Sequence, residues 1–287
     1  MKTFLLWTVS ILLMFAAVVY QRTTGPTYPV RGDLTIGDTV HPFRLLRSQE
    51  TTSPARVTLP PAAARDGEMP ILHFRRYKTA DSLTAIPFVR ESEGLAAYLP
   101  VQPPAGKVAY FISLPPGVHP SRIPAVGEED IVLRYKDPVP AALLIPHVLM
   151  MFLAILFGIR AGLSALAAPK GIKKFTLLAL LGMTLGGMIL GPFVQKFAFG
   201  EYWTGFPFGG DLTDNKTLIM WLAWVIAALF AVRARSLKTP LTRAVVVVAA
   251  LVMLAVYLIP HSMRGSELNY QQVDSGVDPG AAIGTGD

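Results

Sequence analysis

The sequence contains no cysteine, and its charged residues are scarce. The absence of cysteine excludes disulfide bonds, thiolate catalysis, cysteine-ligated zinc and cysteine-ligated iron–sulfur clusters. Only 16% of the 287 residues are charged, whereas about 25% is usual for soluble globular domains. The apolar share, 52%, is correspondingly high. This balance indicates that part of the chain lies in lipid.

The apolar residues are concentrated in five runs. Each run approaches the roughly 20 residues that a helix needs to cross the hydrocarbon core of a bilayer. The runs cover residues 4–19, 141–159, 175–194, 217–232 and 244–260. The sequence therefore predicts five spans. The first is either a signal peptide or an uncleaved anchor, and an anchor is favoured because no small-residue cleavage site follows it.

The net charge of +7 originates largely in two short loops between these runs. The basic residues of the two loops are Arg160, Lys170, Lys173 and Lys174, and then Arg233, Arg235, Lys238 and Arg243. Neither loop contains an acidic residue. Because Lys and Arg accumulate in short cytoplasmic loops, we predict that both loops and the N-terminus are cytoplasmic in a bacterial inner membrane. The predicted contacts are then the lipid bilayer and a membrane or periplasmic protein, with no nucleic acid.

The rest of the chain is predicted to face the other side of the membrane. Residues 1–20 form the anchor or signal segment, residues 21–54 a linker, and residues 55–139 a region of short β-rich runs separated by turn-forming prolines and glycines. The predicted strands are Arg56–Leu59, Ile71–Tyr77, Ala85–Arg90, Leu95–Leu99, Val108–Leu114 and Ile131–Tyr135. They favour a small antiparallel β-sandwich. Residues 140–262 form a four-helix transmembrane bundle, and residues 263–287 a disordered extracytoplasmic tail. The fold class is thus membrane α+β.

Two segments carry resemblances to known families. The motifs Gly94-Leu-Ala-Ala-Tyr-Leu-Pro100, Gln102-Pro-Pro-Ala-Gly106 and Val108-Ala-Tyr-Phe-Ile112 resemble immunoglobulin-like and fibronectin-type modules. That resemblance implies an immunoglobulin-like sandwich and says nothing about a ligand.

The second resemblance covers residues 130–270. Its motifs are Val132-Leu-Arg-Tyr-Lys136, Ile145-Pro-His147, Gly191-Pro-Phe-Val-Gln-Lys196, Phe199-Gly-Glu-Tyr-Trp-Thr-Gly205 and Asp211-Leu-Thr-Asp-Asn-Lys216. They resemble a family of uncharacterised bacterial multi-span inner-membrane proteins. This resemblance implies architecture and no mechanism.

The loop at 195–216 is the most distinctive segment. It is rich in aromatic residues and glycines, which suits the headgroup zone of a membrane. The residues that define it as an interfacial loop include Tyr202, Trp203, Asn215 and Lys216. Glu201, Asp211 and Asp214 offer oxygen ligands for a metal cation or another ligand. The alternative interpretation is that Asp214 or Thr213, just before the next helix, serves as its N-cap.

Two histidines form the second candidate site. His147 lies in the first turns of the second span and His261 follows the last span. Because these spans run in opposite directions, both histidines are predicted near the outer membrane surface. Together they could ligate a metal or a haem iron. The alternative is a neutral interfacial histidine bonded to the backbone.

No enzyme motif is present: Gly-x-Ser-x-Gly, His-Glu-x-x-His and the glycine-rich nucleotide-binding loops are all missing. The preferred hypothesis is a non-enzymatic membrane protein whose extracytoplasmic domain presents a binding or assembly surface. One alternative is a redox or haem-binding subunit that uses the two histidines. A small-solute channel or carrier is the third hypothesis. It is disfavoured because no chain of buried acidic and basic residues runs through the spans. The sequence identifies no cofactor.

Overall fold

The chain forms two compact units. The structure, a computed structural model, describes residues 2–167, 170–234, 236, 239–260 and 265–284. The helical unit comprises Met1–Pro26 and Val139–Gly265, and the β unit comprises Thr27–Pro138 and Ser266–Asp287. The chain therefore enters the β unit after its first helix, leaves it for four further spans, and returns to it at the C-terminus.

The helical unit contains the predicted spans. Its helices are α1 (Lys2–Thr24), α2 (Ala141–Ala167), α3 (Ile172–Gly182), α4 (Gly191–Phe199), α5 (Leu212–Arg233) and α6 (Pro240–Leu258). A π-helix at Met183–Leu190 joins α3 to α4, so that Ile172–Phe199 is one continuous span. Within the described residues, five helices are long and apolar enough to cross a membrane, which confirms the predicted number. They extend beyond the apolar runs because helical hydrogen bonding continues into the polar flanks.

Small residues allow the helices of this unit to pack closely. A Cβ atom added at Gly182 would lie 2.9 Å from the Cβ and 3.0 Å from the backbone N of Ala154 on α2. Trp224 of α5 is fully buried, and its Nε1 donates to the sulfur of Met253 on α6 at 3.2 Å. Packing of this kind stabilises helices in lipid, where hydrophobic burial provides no driving force for association.

Fourteen short strands, one short α-helix and one 3-10 helix at Pro61–Ala63 are described in the β unit. The strands are β1 (Val30–Ile36), β2 (Thr39–Leu45), β3 (Ser48–Glu50), β4 (Ala55–Leu59), β5 (Ile71–Arg76), β6 (Thr84–Pro87), β7 (Val89–Glu91), β8 (Gly94–Leu99), β9 (Lys107–Ser113), β10 (Val118–His119), β11 (Arg122–Ile123), β12 (Ile131–Lys136), β13 (Glu267–Leu268) and β14 (Ile283–Gly284). The α-helix is α7 (Tyr270–Asp274). Each of the six predicted strands overlaps at least one of these strands.

The strands form several sheets around one apolar core. The largest sheet has the order β3-β12-β9-β5-β6 with β11 added to β9, and smaller sheets have the orders β4-β8-β7, β10-β1-β2 and β13-β14. All described pairs of these strands are antiparallel except β12 with β3. Leu72 and Tyr110 of the largest sheet and Val57 and Leu95 of the β4-β8-β7 sheet are buried in the same cluster. Alternation of side chains along each strand turns these residues inward.

The structure differs from the predicted linker at 21–54. Helix α1 continues to Thr24, and β1 and β2 form a hairpin in which Val30 pairs with Leu45 and Ile36 with Thr39. Leu34 and Leu45 are fully buried in the β core. The sequence pattern concealed these strands because most of their other side chains are polar or exposed.

The structure also differs from the predicted disordered tail. Residues 265–284 are described, and β13, α7 and β14 lie among them. Leu268, Tyr270 and Ala282 are buried. The composition of the tail suggested disorder because its few apolar residues cannot form a core of their own, but they pack on a surface that the β unit supplies.

Candidate functional site

His147 lies in α2 beside the π-helix. Its Nδ1 is 2.9 Å from the carbonyl oxygen of Gly186, and the side chain is half-buried. A carbonyl oxygen only accepts, so Nδ1 is the donor and Nε2 of the neutral ring remains an acceptor. This contact agrees with the backbone-bonded interpretation of His147. The other member of the predicted pair, His261, lies outside the described residues, so the shared metal or haem site stays a prediction.

The carboxylates of the loop before α5 bind backbone amides. Asp211 is the N-cap of α5, and its Oδ1 accepts from the amide of Thr213 at 2.7 Å. Asp214 Oδ2 accepts from the amides of Thr204 at 2.6 Å and Gly205 at 3.0 Å. Both carboxylates are buried, and together they tie the loop to the first turn of α5.

The structure brings together only part of the predicted cation site. The hydroxyl of Thr204 lies 3.1 Å from Asp211 and 3.4 Å from Asp214, so the structure brings these two carboxylates to one point. Glu201 is exposed to solvent. Among the described residues, no group of three or more His, Cys, Asp or Glu side chains is placed to hold a metal ion. Asn215 extends the loop contacts, because its Oδ1 accepts from the amide of Phe206 at 2.7 Å. These bonds agree with a capping role for the loop, although the N-cap is Asp211 and not Asp214 or Thr213, which lie inside α5. The cation site stays a prediction.

The aromatic residues of the loop are turned outward. Tyr202 is exposed and packs edge-on against Phe193, with ring centroids 5.6 Å apart. Trp203 Nε1 donates to the carbonyl of Phe206 at 3.0 Å, while the side chain of Phe208 is 82% exposed. Exposed rings at the end of apolar helices suit the membrane interface, where they have both apolar and polar neighbours.

Lys216 is not a loop residue in the structure. It lies in the first turns of α5, is only 2% exposed, and its Nζ donates to the carbonyl of Ile259, which caps the C-terminus of α6. Arg243 acts similarly at the opposite end of the unit, where it donates to the carbonyls of Ala165 at 2.5 Å and Leu166 at 2.7 Å at the end of α2. Cations at helix C-termini satisfy free carbonyls and oppose the negative end of the helix dipole.

The site that sequence reasoning missed is a cavity in the β unit. It has a volume of about 510 Å³ and lies between the turn at 77–79 and two parts of the C-terminal segment, residues 267–272 and 281–284. Cavities of this size are typical of binding sites for small ligands. No sequence motif indicated it, because its two sides are far apart in the chain.

A partly buried ion-pair network borders this cavity, and two of its members, Lys78 and Glu267, line it. The carboxylate of Glu267 binds Lys78 at 2.9 Å and also binds Lys107, and the Lys107 and Glu267 side chains are only 14% and 16% exposed. Lys78 and Lys107 also lie over the ring of Tyr77, at 5.7 Å and 5.5 Å from its centroid. The aromatic face attracts the ammonium groups and fixes their positions.

The environment shifts the pKa values of this network. Burial lowers the pKa of Lys107, and the hydrogen bond to Glu267 only partly opposes this effect. Burial alone would raise the pKa of Glu267, but the hydrogen bonds from Lys107 and Lys78 together outweigh it and hold that pKa below its usual value. Both pKa values are lowered, and for Lys107 the nearby positive charges of Arg134 and Lys78 add to the effect of burial. Glu267 is therefore ionised at neutral pH and compensates more than one cation.

A second network holds the C-terminal segment behind the cavity. Arg76 binds Asp81 at 2.6 Å and Asp274 at 2.7 Å, and its guanidinium lies 4.9 Å from the centroid of the Tyr270 ring. The hydroxyl of Tyr270 donates to the carbonyl of Lys107 at 3.0 Å. The segment is thus bound by side chains of the β unit that are distant in sequence.

Comparison of the chain with protein-family models, with curated proteins and with solved structures gave no match.

Proposed function

We propose that this chain is a non-enzymatic, multi-pass protein of a bacterial inner membrane whose β unit binds a ligand or partner protein outside the cytoplasm. The proposal rests on one observation: residues 27–138 and residues 266–284 fold into one unit, and this unit contains the cavity. The ionisable side chains on the cavity wall pair with one another, which favours recognition over catalysis.

The same observation supports the proposed topology. Four candidate spans separate the two parts of the β unit, and an even number returns the chain to the side from which it left. At the other ends of these spans, Lys170 lies in a connection, Lys173 and Lys174 lie in the first turn of α3, and Arg233 is the last residue of α5. Positive charge in short connections favours the cytoplasmic side for them, and thus the periplasm for the β unit.

We also assign the β unit to the immunoglobulin-like β-sandwich class. Antiparallel sheets that share one core support this assignment, since the two-layer packing of such modules buries the inner faces of both sheets together.

The sidedness is tested by single-cysteine labelling, which is clean in a chain that lacks cysteine. Val126 is 83% exposed in the β unit, and Ser236 is exposed in the connection between α5 and α6. In spheroplasts, a membrane-impermeant maleimide is expected to label Val126→Cys and to label Ser236→Cys only after lysis. The reverse pattern would invert the proposed orientation.

The role of the cavity is tested by filling it. Gln271 lines the cavity and is exposed, so Gln271→Trp is expected to reduce binding of the native ligand or partner at least about tenfold while the unit remains folded, because bulk in a pocket excludes its occupant. Val126→Trp adds the same ring away from the cavity lining and is the matched control. The readout is quantitative mass spectrometry of the molecules that co-purify from native membranes. If the unmodified protein, Gln271→Trp and Val126→Trp all retained the same co-purifying molecules, the cavity would not be the binding site.

A further inference from the structure

A buried cation lies in the helical unit at the end opposite to the acidic loop. Arg160 of α2 is 3% exposed and lies about 10 Å of helical rise before the end of the helix at Ala167. The sequence predicted Arg160 in the short cytoplasmic loop that follows the second span. The structure differs, because α2 continues past it and neighbouring helices cover it.

Among the described residues, Arg160 contacts no anionic group. Nη1 donates to the hydroxyl of Ser164, and the guanidinium lies 5.3 Å from the Trp7 ring centroid and 4.7 Å from that of Phe175. Nε is buried and has no hydrogen-bond partner within the part of the chain that the structure describes. Aromatic faces and a hydroxyl attract a cation but do not neutralise it.

No carboxylate of the helical unit can supply that anion. Its sequence contains three acidic residues, Glu201, Asp211 and Asp214, all in or next to the connection from α4 to α5. Arg160 lies near the connection from α2 to α3, at the other end of the span Ile172–Phe199. An ionisable group within a membrane-spanning helix usually faces a partner or a pathway.

A second unsatisfied polar atom lies on the facing helix. The hydroxyl of Thr176 on α3 is buried and also lacks a hydrogen-bond partner among the described residues. A Cβ atom added at Gly182 would lie 2.9 Å from the Cβ of Ala154, and one added at Gly186 would lie 2.9 Å from the Cβ of Met150. These contacts define the antiparallel register between α2 and the span that begins with α3. Continued toward the start of α3, this antiparallel register brings Thr176 opposite Arg160.

The start of α3 adds positive potential beside these atoms. Its N-cap is Gly171, and among the described residues no side chain caps the first amides of the helix. Lys173 and Lys174 in its first turn are exposed. Helix N-termini favour negative groups, and phosphate in particular.

We propose that Arg160 and the first turn of α3 bind the phosphate of an anionic phospholipid headgroup. Trp7 and Phe175 are partly exposed and meet edge-on, with centroids 5.4 Å apart, so a headgroup reaches the guanidinium between α1 and α3 by displacing their edges. Phe4, Leu5 and Leu12 on α1 are exposed, as expected of a helix that faces lipid. Basic pockets between membrane helices on the cytoplasmic side bind such headgroups.

The test measures the melting temperature of the purified full chain in detergent. Addition of phosphatidylglycerol near saturation is expected to raise the melting temperature by roughly 5 °C, whereas phosphatidylcholine and inorganic phosphate leave it unchanged. Arg160→Gln is expected to abolish the shift. Arg233→Gln, which removes an exposed charge at the same end of the unit, is expected to retain it.

A second variant keeps the proposal testable if Arg160→Gln does not fold. Lys173→Gln/Lys174→Gln changes exposed side chains only and is expected to weaken the apparent affinity for phosphatidylglycerol about tenfold, as two phosphate-attracting charges are lost. An undiminished affinity in this variant, or an equal shift with phosphatidylcholine, would overturn the proposal. An equal shift with inorganic phosphate would indicate a free anion and not a lipid.

Discussion

Asp214→Ala is expected to lower the melting temperature of the helical unit by about 10 °C. The buried carboxylate accepts from the amides of Thr204 and Gly205, and alanine leaves both donors without a partner. A hydrogen bond to a charged group contributes about 1.5–3 kcal/mol, so the loss of these two bonds is expected to cost roughly 3–6 kcal/mol. The four tryptophans Trp7, Trp203, Trp221 and Trp224 all belong to the helical unit, so their fluorescence reports the unfolding of this unit alone.

Glu201→Ala is the control for this loop. Its carboxylate is exposed, and the change is expected to alter the melting temperature by less than about 1 °C. Addition of calcium or magnesium is expected to leave the melting temperature of the unmodified protein unchanged. If Glu201→Ala destabilised the unit as strongly as Asp214→Ala, and a divalent cation raised the melting temperature, the cation site would replace the capping interpretation.

Glu267→Ala is expected to release the C-terminal segment from the β unit. It leaves Lys107, whose side chain is 14% exposed, without its carboxylate partner. Breaking a fully buried ion pair costs about 3–5 kcal/mol, and this partly buried pair is expected at the lower end of that range. Since the β unit contains no tryptophan, hydrogen exchange of residues 266–284 is the appropriate measurement. We expect protection of these amides to fall at least about a hundredfold. Glu93→Ala is the matched control, because its ion pair with Arg56 is exposed and such pairs contribute about 0–1 kcal/mol.

The attachment of residues 266–284 to the rest of the β unit is expected to weaken in acid. The pKa of Glu267 is below its usual value in the folded protein, and Arg76 lowers the pKa values of Asp81 and Asp274 in the same direction. For carboxyls with depressed pKa values, the stabilisation is fully present above the unfolded values, about 3.9–4.3, and is lost as the pH falls through the folded ones. Protection of residues 266–284 should therefore decline below about pH 4, and less steeply in Glu267→Ala. Protection that is independent of pH in this range would contradict the role of these pairs.

The sequence predicted the strands between residues 55 and 139 better than the hairpin of β1 and β2 that precedes them. Strands such as Val108–Leu114 and Ile131–Tyr135 were recognisable because alternating apolar residues are a local property of the chain. The hairpin of β1 and β2 was not, since one buried leucine in each strand is too weak a pattern when the remaining side chains are polar.

The candidate sites show the same division. A cap at the start of α5 was recognisable because capping depends on neighbours within a few residues, but the pattern favoured Asp214 or Thr213 and the N-cap is Asp211. The cavity was not recognisable, because Tyr77 and Lys78 line it together with Glu267, from which four candidate spans separate them in the sequence. The buried state of Arg160 was missed for a related reason: Trp7 and Phe175, which cover it, lie on two other helices.

The sequence by itself determined the five candidate spans and the uneven distribution of charge around them. Transfer of an apolar run into lipid depends on composition over about 20 residues, which the sequence states directly. Only the tertiary structure decided that the C-terminal segment belongs to the β unit and that Arg160 and Lys216 are buried. Burial of a polar side chain depends on groups that long-range packing brings to it, and no local pattern encodes them.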